Sequence, residues 1–295
     1  MMRPRFVLWA GLLAALFAPA ALFSHPGDGI VADSKGNVYY TDLKHVWKIT
    51  PGGQRTIAVR DKHTHELYVD AADNVYGEDS RYEPGTTSWS HSLWKLSPDG
   101  VLTTIRPMQA GFREDVSFVR DAHGNQFLLR AKGKTYALIK KDSAGSESIV
   151  AARLPRSHLR AANPQGDVYL TQADKLIRVT ARGRVHAVAG GLTSEYALGR
   201  GNEGLNVLYG LTVQKDGTVL LAHYGGRRLL KIAPQGQVST VYRSGPSTSP
   251  TGVTTFGDKV YVLESGVPGN PYAIKVVVLE AGKAPVTLAD YVNTP

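Results

Sequence analysis

The chain has 295 residues, of which 42% are hydrophobic and 20% charged, and its formal net charge is +9. This balance is typical of a folded globular protein and excludes an intrinsically disordered one. The sequence holds 31 glycines and no cysteine. It therefore indicates a turn-rich chain and excludes disulfides, thiolate metal sites and a cysteine nucleophile.

The N-terminal stretch differs from the rest of the chain. Arg3 and Arg5 precede an apolar run that ends in a small-x-small tripeptide at Ala20. This pattern predicts a secretory signal peptide over residues 1–20, followed by a short segment at 21–27. An uncleaved membrane anchor is the alternative, but the apolar run before Pro19 is short for the about 20 residues that a span needs. We therefore expect a periplasmic or secreted protein with no stable membrane span after cleavage.

A sixfold repeat fills residues 28–293. Each repeat has a central aromatic or aliphatic residue in its second predicted strand, and these anchors are about 44 residues apart on average, the spacing of propeller blades. The six anchors are Tyr39, Tyr76, Phe127, Tyr169, Leu220 and Tyr261. The repeat therefore predicts one domain built from six similar blades.

Each repeat contains the signals of four strands. Two apolar strands flank a tight turn such as the one from Asp33 to Gly36, and a Pro/Gly turn separates the third strand from the fourth. The third strands carry one basic residue each: Lys48, Lys95, Lys140, Arg178, Lys231 and Lys275. Four strands repeated six times predict an all-β fold, a six-bladed β-propeller of four-stranded antiparallel blades. Because the basic residues are spread around the outer wall, we expect no nucleic-acid partner.

The repeat resembles a known group of propellers. The motif Asp-x-x-Gly-Asn-Val-Tyr at Asp33–Tyr39, with "VWKITPGG" from Val46 and "LWKLSPDG" from Leu93, resembles the NHL repeat. More broadly, residues from about 28 to about 289 resemble the gluconolactonase and regucalcin-like superfamily. The resemblance implies the propeller fold, which hosts hydrolases, lyases and binding modules alike. The chain enters at the first inner strand and ends on the outer strand of blade six, so ring closure is expected to depend on packing between those two blades.

Polar residues are expected to gather at one face of the ring. In a blade, the start of the first strand and the end of the second strand meet around the axis. The second-strand ends are Asp42, Asp79, Arg130, Gln172, His223 and Glu264. The first-strand starts are Asp28, His65, Val116, His158, Tyr209 and Thr251. Some of these residues would end strands only to meet solvent, but this face is the predicted ligand-binding site.

The resemblance also implies a divalent cation at this face. In gluconolactonase-like enzymes the cation is held by Glu, Asn and Asp residues that each precede a glycine at an inner-strand start. The matching residues here are Asp28, Tyr209 and Thr251, of which only Asp28 keeps a carboxylate. Hard cations prefer carboxylate, amide and carbonyl oxygens, so the family's metal ligands are not retained.

A different metal site is predicted in blade two. His63 and His65 lie two residues apart in an extended segment, which places them on the same side. Together with Asp42 and Asp79, or with Glu66, they would suit one divalent ion, Zn²⁺ or Ca²⁺. A His-x-His pair is also common in solvated loops, so the cofactor is left open.

Two loops are expected to overhang the same face. The segments "DSRYEPGTTSWSHS" from Asp79 and "SGVPGNPY" from Ser265 each follow a second strand. They bring Tyr82, Trp89 and Tyr272, which would form stacking walls for a flat ligand or simply cap the ring.

Two functions remain open from the sequence. One is a binding propeller that holds a small molecule, glycan or protein on this face without chemistry. The other is a metal-assisted hydrolase or lyase that acts on a lactone or ester, with His65 or His223 moving the proton. Whether the protein is an enzyme is not decided at this point.

Overall fold

The structure is a computed structural model that describes residues 26–82, 88–111, 115–193, 208–267 and 270–293. These residues form 23 β-strands and no helix. The predicted signal peptide, residues 1–20, lies outside the described residues, as do residues 21–25 of the segment after it. In the described part of the chain there is no helix of the length and apolar character needed to cross a membrane.

The first three blades occupy residues 30–154. Blade one contains β1 (Ile30–Ala32), β2 (Val38–Thr41), β3 (Val46–Ile49) and β4 (Arg55–Val59). Blade two contains β5 (Leu67–Val69), β6 (Val75–Tyr82), β7 (Trp89–Leu96) and β8 (Leu102–Ala110). Blade three contains β9 (Gln126–Lys132), β10 (Thr135–Lys141) and β11 (Glu147–Leu154).

The last three blades occupy residues 158–292. Blade four contains β12 (His158–Ala162), β13 (Val168–Gln172), β14 (Lys175–Val179) and β15 (Val185–Ala189). Blade five contains β16 (Leu208–Val213), β17 (Val219–His223), β18 (Arg228–Ile232) and β19 (Val238–Arg243). Blade six contains β20 (Thr248–Phe256), β21 (Lys259–Gly266), β22 (Ala273–Leu279) and β23 (Val286–Val292). Strands follow one another in sequence order within each antiparallel sheet, which confirms the six-bladed propeller.

The Asp-x-x-Gly turn works as its sequence predicts. In blade one, Oδ1 of Asp33 accepts hydrogen bonds from the backbone N–H groups of Lys35 (3.0 Å) and Asn37 (2.8 Å). Gly36 has a φ of 79°, a conformation that side-chain-bearing residues rarely adopt. The aspartate thus satisfies the turn's backbone donors and fixes the hairpin between the first two strands.

Blade three departs from the predicted four strands. Its inner segment forms only an isolated bridge between Arg120 and Gln126. The hydroxyl of Ser117 accepts a hydrogen bond from the N–H of Val119 (3.0 Å), and the Ser117 carbonyl accepts from the side chains of Arg120 (3.0 Å) and Gln126 (2.8 Å). These local side-chain bonds compete with a strand ladder. Blade three therefore has three strands instead of four.

One of the six basic third-strand residues lies outside the predicted register. In blades one to five the anchor residue pairs with the basic residue, as in Tyr39 with Lys48. In blade six, Tyr261 pairs with Val278, and Lys275 pairs with Glu264. The apolar run of β22 continues past Lys275, which shifts the register by three residues.

The ring closes by packing between blades six and one, as expected. A buried cluster shared by the two blades includes Ile30, Val38, Tyr40, Tyr261, Leu263 and Val276. Polar contacts reinforce it, because Oδ2 of Asp42 accepts hydrogen bonds from Trp47 Nε1 (2.6 Å) and the Tyr291 hydroxyl (3.1 Å). The Arg55 guanidinium lies over the rings of Trp47 (4.6 Å) and Tyr291 (4.7 Å). In the part of the chain that the structure describes, these side chains thus hold blades six and one together.

Candidate functional site

Three inner strands are interrupted by β-bulges at one end of the axis. The register shifts lie between Leu159 and Ala161 in β12, between Leu208 and Leu211 in β16, and between Pro250 and Gly252 in β20. A bulge adds one residue to a strand and re-aims its side chain. The residues redirected in this way include Arg160 in blade four and Thr251 in blade six. We call this end of the axis the axial mouth and define it by Asp28, His65, His158, Arg160, Tyr209 and Thr251.

Glycines allow the inner strands to approach one another at the axial mouth. A Cβ atom added at Gly252 would lie 2.3 Å from the carbonyl oxygen of Asp28. A Cβ at Gly210 would lie 2.9 Å from the carbonyl oxygen of Thr251, and one at Gly29 would lie 3.0 Å from that of His65. Backbone contacts this short exclude larger residues. Blades five, six, one and two are therefore joined backbone to backbone around the axis.

Arg160 crosses this end of the ring. Its Nε donates to Thr171 Oγ1 (2.9 Å) within blade four, and its Nη2 donates to the Leu208 carbonyl of blade five (2.5 Å). Its Nη1 lies 3.4 Å from the Asp28 carboxylate of blade one. Blades one and four lie on opposite sides of a six-bladed ring, so the ion pair spans the axis. The side chains of Arg160 and Asp28 are only 9% and 19% exposed.

Burial controls the electrostatics around Arg160. It lowers the pKa of the guanidinium, while the neighbouring Asp28 and Glu66 carboxylates act in the opposite direction. The ring of Tyr209 lies 5.8 Å from the guanidinium carbon, and burial raises the pKa of this phenol. Burial, followed by repulsion from Arg160 and Arg156, lowers the pKa of His158 to about 4. At neutral pH the axial mouth thus presents one fixed cation beside an uncharged imidazole and a protonated phenol.

The residues of the axial mouth do not fit the divalent cation that the resemblance implies. Asp28, the single carboxylate at the three matching positions, is already paired with Arg160. Thr251 is fully buried, with its hydroxyl 3.2 Å from Ser265 Oγ. Tyr209 presents a phenol whose proton is retained. A buried guanidinium beside one paired carboxylate repels a second cation rather than binding it.

A second group of polar residues lies in blade two, beside Asp28. The backbone carbonyl of His65 accepts hydrogen bonds from the N–H groups of Asp28 (3.0 Å) and Gly29 (2.8 Å). The rings of His63 and His65 are 4.6 Å apart, edge to face. Nδ1 of His65 lies 3.3 Å from Oε1 of Glu78, a fully buried carboxylate that also accepts from the His65 N–H (2.7 Å). Burial, followed by the proximity of His65, lowers the pKa of His63. The geometry is that of a base held by an orienting carboxylate.

The structure brings together two of the four predicted metal ligands. His63 and His65 are in contact. Oδ1 of Asp79 accepts a hydrogen bond from the His63 backbone N–H (3.2 Å), but its Oδ2 accepts from Lys62 Nζ (3.1 Å) and Arg81 Nη2 (2.9 Å). The Asp42 carboxylate serves ring closure. In the ranges that the structure describes, no three or more histidine and carboxylate side chains are grouped to hold a metal ion.

Two predicted site residues have structural roles. His223 is fully buried, its Nε2 lies 2.7 Å from the Leu192 carbonyl, and its Nδ1 accepts from the Gly226 N–H (2.7 Å). Both ring nitrogens are thus hydrogen-bonded to backbone groups inside the protein. Glu264, also fully buried, accepts hydrogen bonds from the hydroxyls of Ser244 (2.7 Å) and Thr248.

The two remaining strand-end residues lie apart from the axial mouth contacts. Arg130 is exposed and forms a two-bond ion pair with Glu147 of the outer strand of blade three (2.8 and 3.1 Å). Gln172 is half-buried at the end of β13, where it pairs with Lys175.

The aromatic loop residues remain accessible. Tyr82 and Trp89 are a cross-strand pair at the ends of β6 and β7, with ring centroids 5.2 Å apart and planes tilted by 60°. Tyr82 is 38% exposed, and Tyr272 in blade six is 48% exposed. The loop between Tyr82 and Trp89 lies mostly outside the described residues. Tyr82 and Trp89 thus present a paired aromatic surface beyond Asp79.

Sequence reasoning missed Arg160 and Glu78. Arg160 follows the predicted strand start His158 by two residues, and a basic residue within an inner strand is itself a signal of a buried partner. Glu78 directly precedes the predicted strand end Asp79, and a carboxylate in a strand interior is itself a signal of a buried partner.

Comparisons with known proteins address the fold. No protein-family model matches the chain, and no curated protein matches it. Among solved structures, a catalytically inactive histidine-to-alanine variant of virginiamycin B lyase from Staphylococcus aureus, with quinupristin, is similar at a TM-score of 0.51 and 13% identity, covering 90% of this chain and 85% of that one. A calcium-binding regucalcin from Agrobacterium tumefaciens is similar at a TM-score of 0.53 and 13% identity, covering 82% and 83%.

A third similar structure is a gluconolactonase from Xanthomonas campestris, with a TM-score of 0.56 and 12% identity, covering 82% of this chain and 84% of that one. Sequence identities this low show a shared architecture and do not show a shared activity. The chain is a six-bladed β-propeller of the architecture seen in virginiamycin B lyase, regucalcin and gluconolactonase.

Proposed function

We propose that the protein is an exported propeller that binds a small polar molecule at the axial mouth. One observation carries this proposal: polar groups of blades one, two and four are linked there by direct contacts. The Asp28 N–H donates to the His65 carbonyl and the Asp28 carboxylate pairs with Arg160. Arg160 in turn donates to Thr171, the cross-strand partner of His158. Polar groups that converge on one point are typical of small-molecule sites, and the loop that carries Trp89 is predicted to overhang this face.

Export is part of this proposal and rests on the sequence of residues 1–20. Arg3, Arg5 and the tripeptide ending at Ala20 support it. Expression of the full chain should give a product that begins after Ala20, as read by N-terminal sequencing of extracytoplasmic material. A full-length product confined to the cytoplasm would overturn it.

The binding proposal is tested with a panel of lactones, monosaccharides and small carboxylic acids. Thermal shift identifies compounds that stabilise the wild-type protein, and calorimetry then compares His158→Gln and Trp89→Ala with wild type. We expect each variant to weaken binding at least tenfold, about the loss of one good contact. His186→Gln, on the exposed outer strand of blade four, is the matched control. A compound that binds all variants equally does not occupy the axial mouth.

A second candidate function is acid–base chemistry on a lactone or ester, without a metal. The pair formed by His65 and the buried Glu78 favours it, because a carboxylate at Nδ1 fixes the neutral tautomer whose Nε2 accepts a proton. The similar solved structures include a gluconolactonase and a lyase whose histidine-to-alanine variant is inactive. In this candidate His65 moves the proton, and Glu78 is a positioning residue.

This candidate is tested by incubating the protein with simple lactones and with quinupristin. If turnover occurs, His65→Asn should lower kcat by about 10²–10⁴-fold. Glu78→Gln should lower kcat less and shift its pH profile, which a purely structural role would not do. Turnover that His65→Asn leaves unchanged would exclude His65 as the base.

A further inference from the structure

A buried guanidinium and a carboxylate from opposite blades meet at the axis. Asp28 lies within 3.4 Å of the Arg160 guanidinium. Glu66, half-buried next to His65, also acts electrostatically on Arg160. Carboxylates in such surroundings require a cation or hydrogen-bond donors to offset the loss of water.

We propose that the guanidinium of Arg160 is the built-in cation of this propeller axis, in the role that an exchangeable divalent ion would otherwise fill. The axial mouth therefore holds its permanent positive charge by covalent attachment to blade four and needs no metal for stability. This inference concerns the folded protein and is independent of any ligand.

The contacts of Arg160 match this role. A planar guanidinium offers five N–H donors in fixed directions. Here they reach a hydroxyl of its own blade (Thr171), a carbonyl of blade five (Leu208) and a carboxylate of blade one (Asp28). The positions that match the family's metal ligands lie in blades one, five and six, and Arg160 reaches oxygen atoms of two of these blades. The bulge between Leu159 and Ala161 supplies the extra residue that brings this side chain there.

The guanidinium also differs from a metal ion in a way that can be measured. Arginine remains charged throughout the accessible pH range and cannot be removed by a chelator. Its loss would leave the Asp28 carboxylate without this cation, and carboxylate oxygens are ligands that divalent ions prefer.

The experiment compares melting temperatures of wild type, Arg160→Gln, Arg160→Lys and Asp28→Asn, each in chelator and then with Ca²⁺, Mg²⁺, Mn²⁺ or Zn²⁺ added singly. We expect the wild-type melting temperature to move by less than about 1 °C with any of these additions. Arg160→Gln should melt several degrees lower and regain part of the loss when a divalent ion is added. Arg160→Lys, which keeps the charge but not the three-way geometry, should melt between the two and not respond to metal. Arg184→Gln, at an exposed turn, is the matched control.

A second measurement covers the case in which the Arg160 variants do not fold. Metal content and Mn²⁺ binding are measured on the wild type and on Asp28→Asn, and both proteins are expected to bind less than one ion per ten chains. Two results would overturn the proposal. One is a wild-type protein that takes up one divalent ion per chain and loses it with Asp28→Asn. The other is an Arg160→Gln protein that melts at the wild-type temperature.

Discussion

Blades four, five and six have inner strands of five, six and nine residues, each with a bulge, whereas the inner segments of blades one, two and three are shorter. In the first set, which we call the crowded half, Gly210 and Gly252 approach neighbouring backbones and Arg160 crosses the axis to Asp28. In the second set, the irregular half, blades one and two have three-residue inner strands and blade three has only the bridge from Arg120 to Gln126.

The two halves differ in what their polar residues do. In the crowded half, polar groups such as those of Glu264 and His223 form hydrogen bonds inside the protein. The irregular half carries the His63 and His65 rings, Glu78 and the accessible Tyr82. The comparison teaches that the long inner strands bring Arg160 and His158 to the axial mouth, while the pair of His65 and Glu78 lies where the inner wall is short.

The largest expected effect tests whether the crowded half is as tight as the contacts indicate. Gly252→Ala places a Cβ 2.3 Å from the Asp28 carbonyl, which cannot be accommodated without moving a backbone. We expect a loss of more than about 3 kcal/mol in unfolding free energy, measured by denaturant titration. Gly245→Ala is the control, because nothing lies within 4 Å of its added Cβ. Equal losses in the two variants would refute a tight axis.

The next effect tests ring closure at the seam where the crowded half meets the irregular half, between blades six and one. Asp42→Ala removes an acceptor for the N–H groups of Lys44 and His45, for Trp47 Nε1 and for the Tyr291 hydroxyl. We expect a loss of about 2–3 kcal/mol, since several buried donors lose their partner at once.

Tyr291→Phe, which removes one of these bonds, should cost about 1 kcal/mol in the same titration. Asp258→Ala is the control for Asp42→Ala, because Asp258 is exposed in a turn and its replacement should leave the melting curve unchanged. If Asp42→Ala matches Asp258→Ala, closure depends on the apolar cluster alone.

Most of the fold follows from the sequence because it is encoded locally. The Asp33 and Gly36 turn chemistry and the spacing of anchors such as Tyr39 need no knowledge of distant residues. The prediction of four strands is wrong in blade three for the opposite reason. Its inner segment has the sequence pattern of a strand, but the Ser117 hydroxyl and carbonyl accept hydrogen bonds from neighbouring residues in place of a strand ladder. The pattern of apolar residues along a segment does not show which atoms accept its hydrogen bonds.

The site was harder to predict because it depends on partners far apart in the chain. The resemblance led to the positions Asp28, Tyr209 and Thr251, but the residue that neutralises Asp28 is 132 positions away, at Arg160. Alternation correctly paired His63 with His65, yet it could not show that Glu78 would be the carboxylate beside them. Which acid meets which base is decided by blade packing.

A smaller effect tests the electrostatics at the blade-four edge of the crowded half. The pKa of His158 is about 4 in the folded protein against an ordinary value of 6.5, so between these pH values the unfolded chain binds a proton that the folded protein does not. Its contribution to stability is therefore complete above pH 6.5 and is lost as pH falls toward 4. Proton linkage limits the change in unfolding free energy from this one group to about 1.4 kcal/mol per pH unit. Because His158 is only half-buried, we expect about 1–2 kcal/mol in total.

His158→Gln should remove this part of the pH dependence. Since His63 also has a lowered pKa, the measured quantity is the difference between wild-type and variant unfolding free energies at pH 4.5 and pH 7. The exposed His186→Gln variant should keep the wild-type slope. Parallel curves for wild type and His158→Gln would show that this imidazole is not held uncharged by Arg160 and Arg156.

The smallest expected effect tests whether the exposed ion pairs of the irregular half matter to the fold. Arg130 forms two hydrogen bonds with Glu147, but both side chains are exposed, at 48% and 36%. Solvent and salt screen such pairs, and ordering two long side chains costs entropy. Arg130→Gln should therefore change the melting temperature by less than about 2 °C at physiological salt. Repeating the melt at low and high salt distinguishes a stabilising ion pair from one that contributes nothing. If the pair stabilises blade three, the melting temperature of the wild type falls as salt rises and that of Arg130→Gln does not. A drop comparable to that of Asp42→Ala would mean that blade three depends on this pair and that the irregular half is held by its surface.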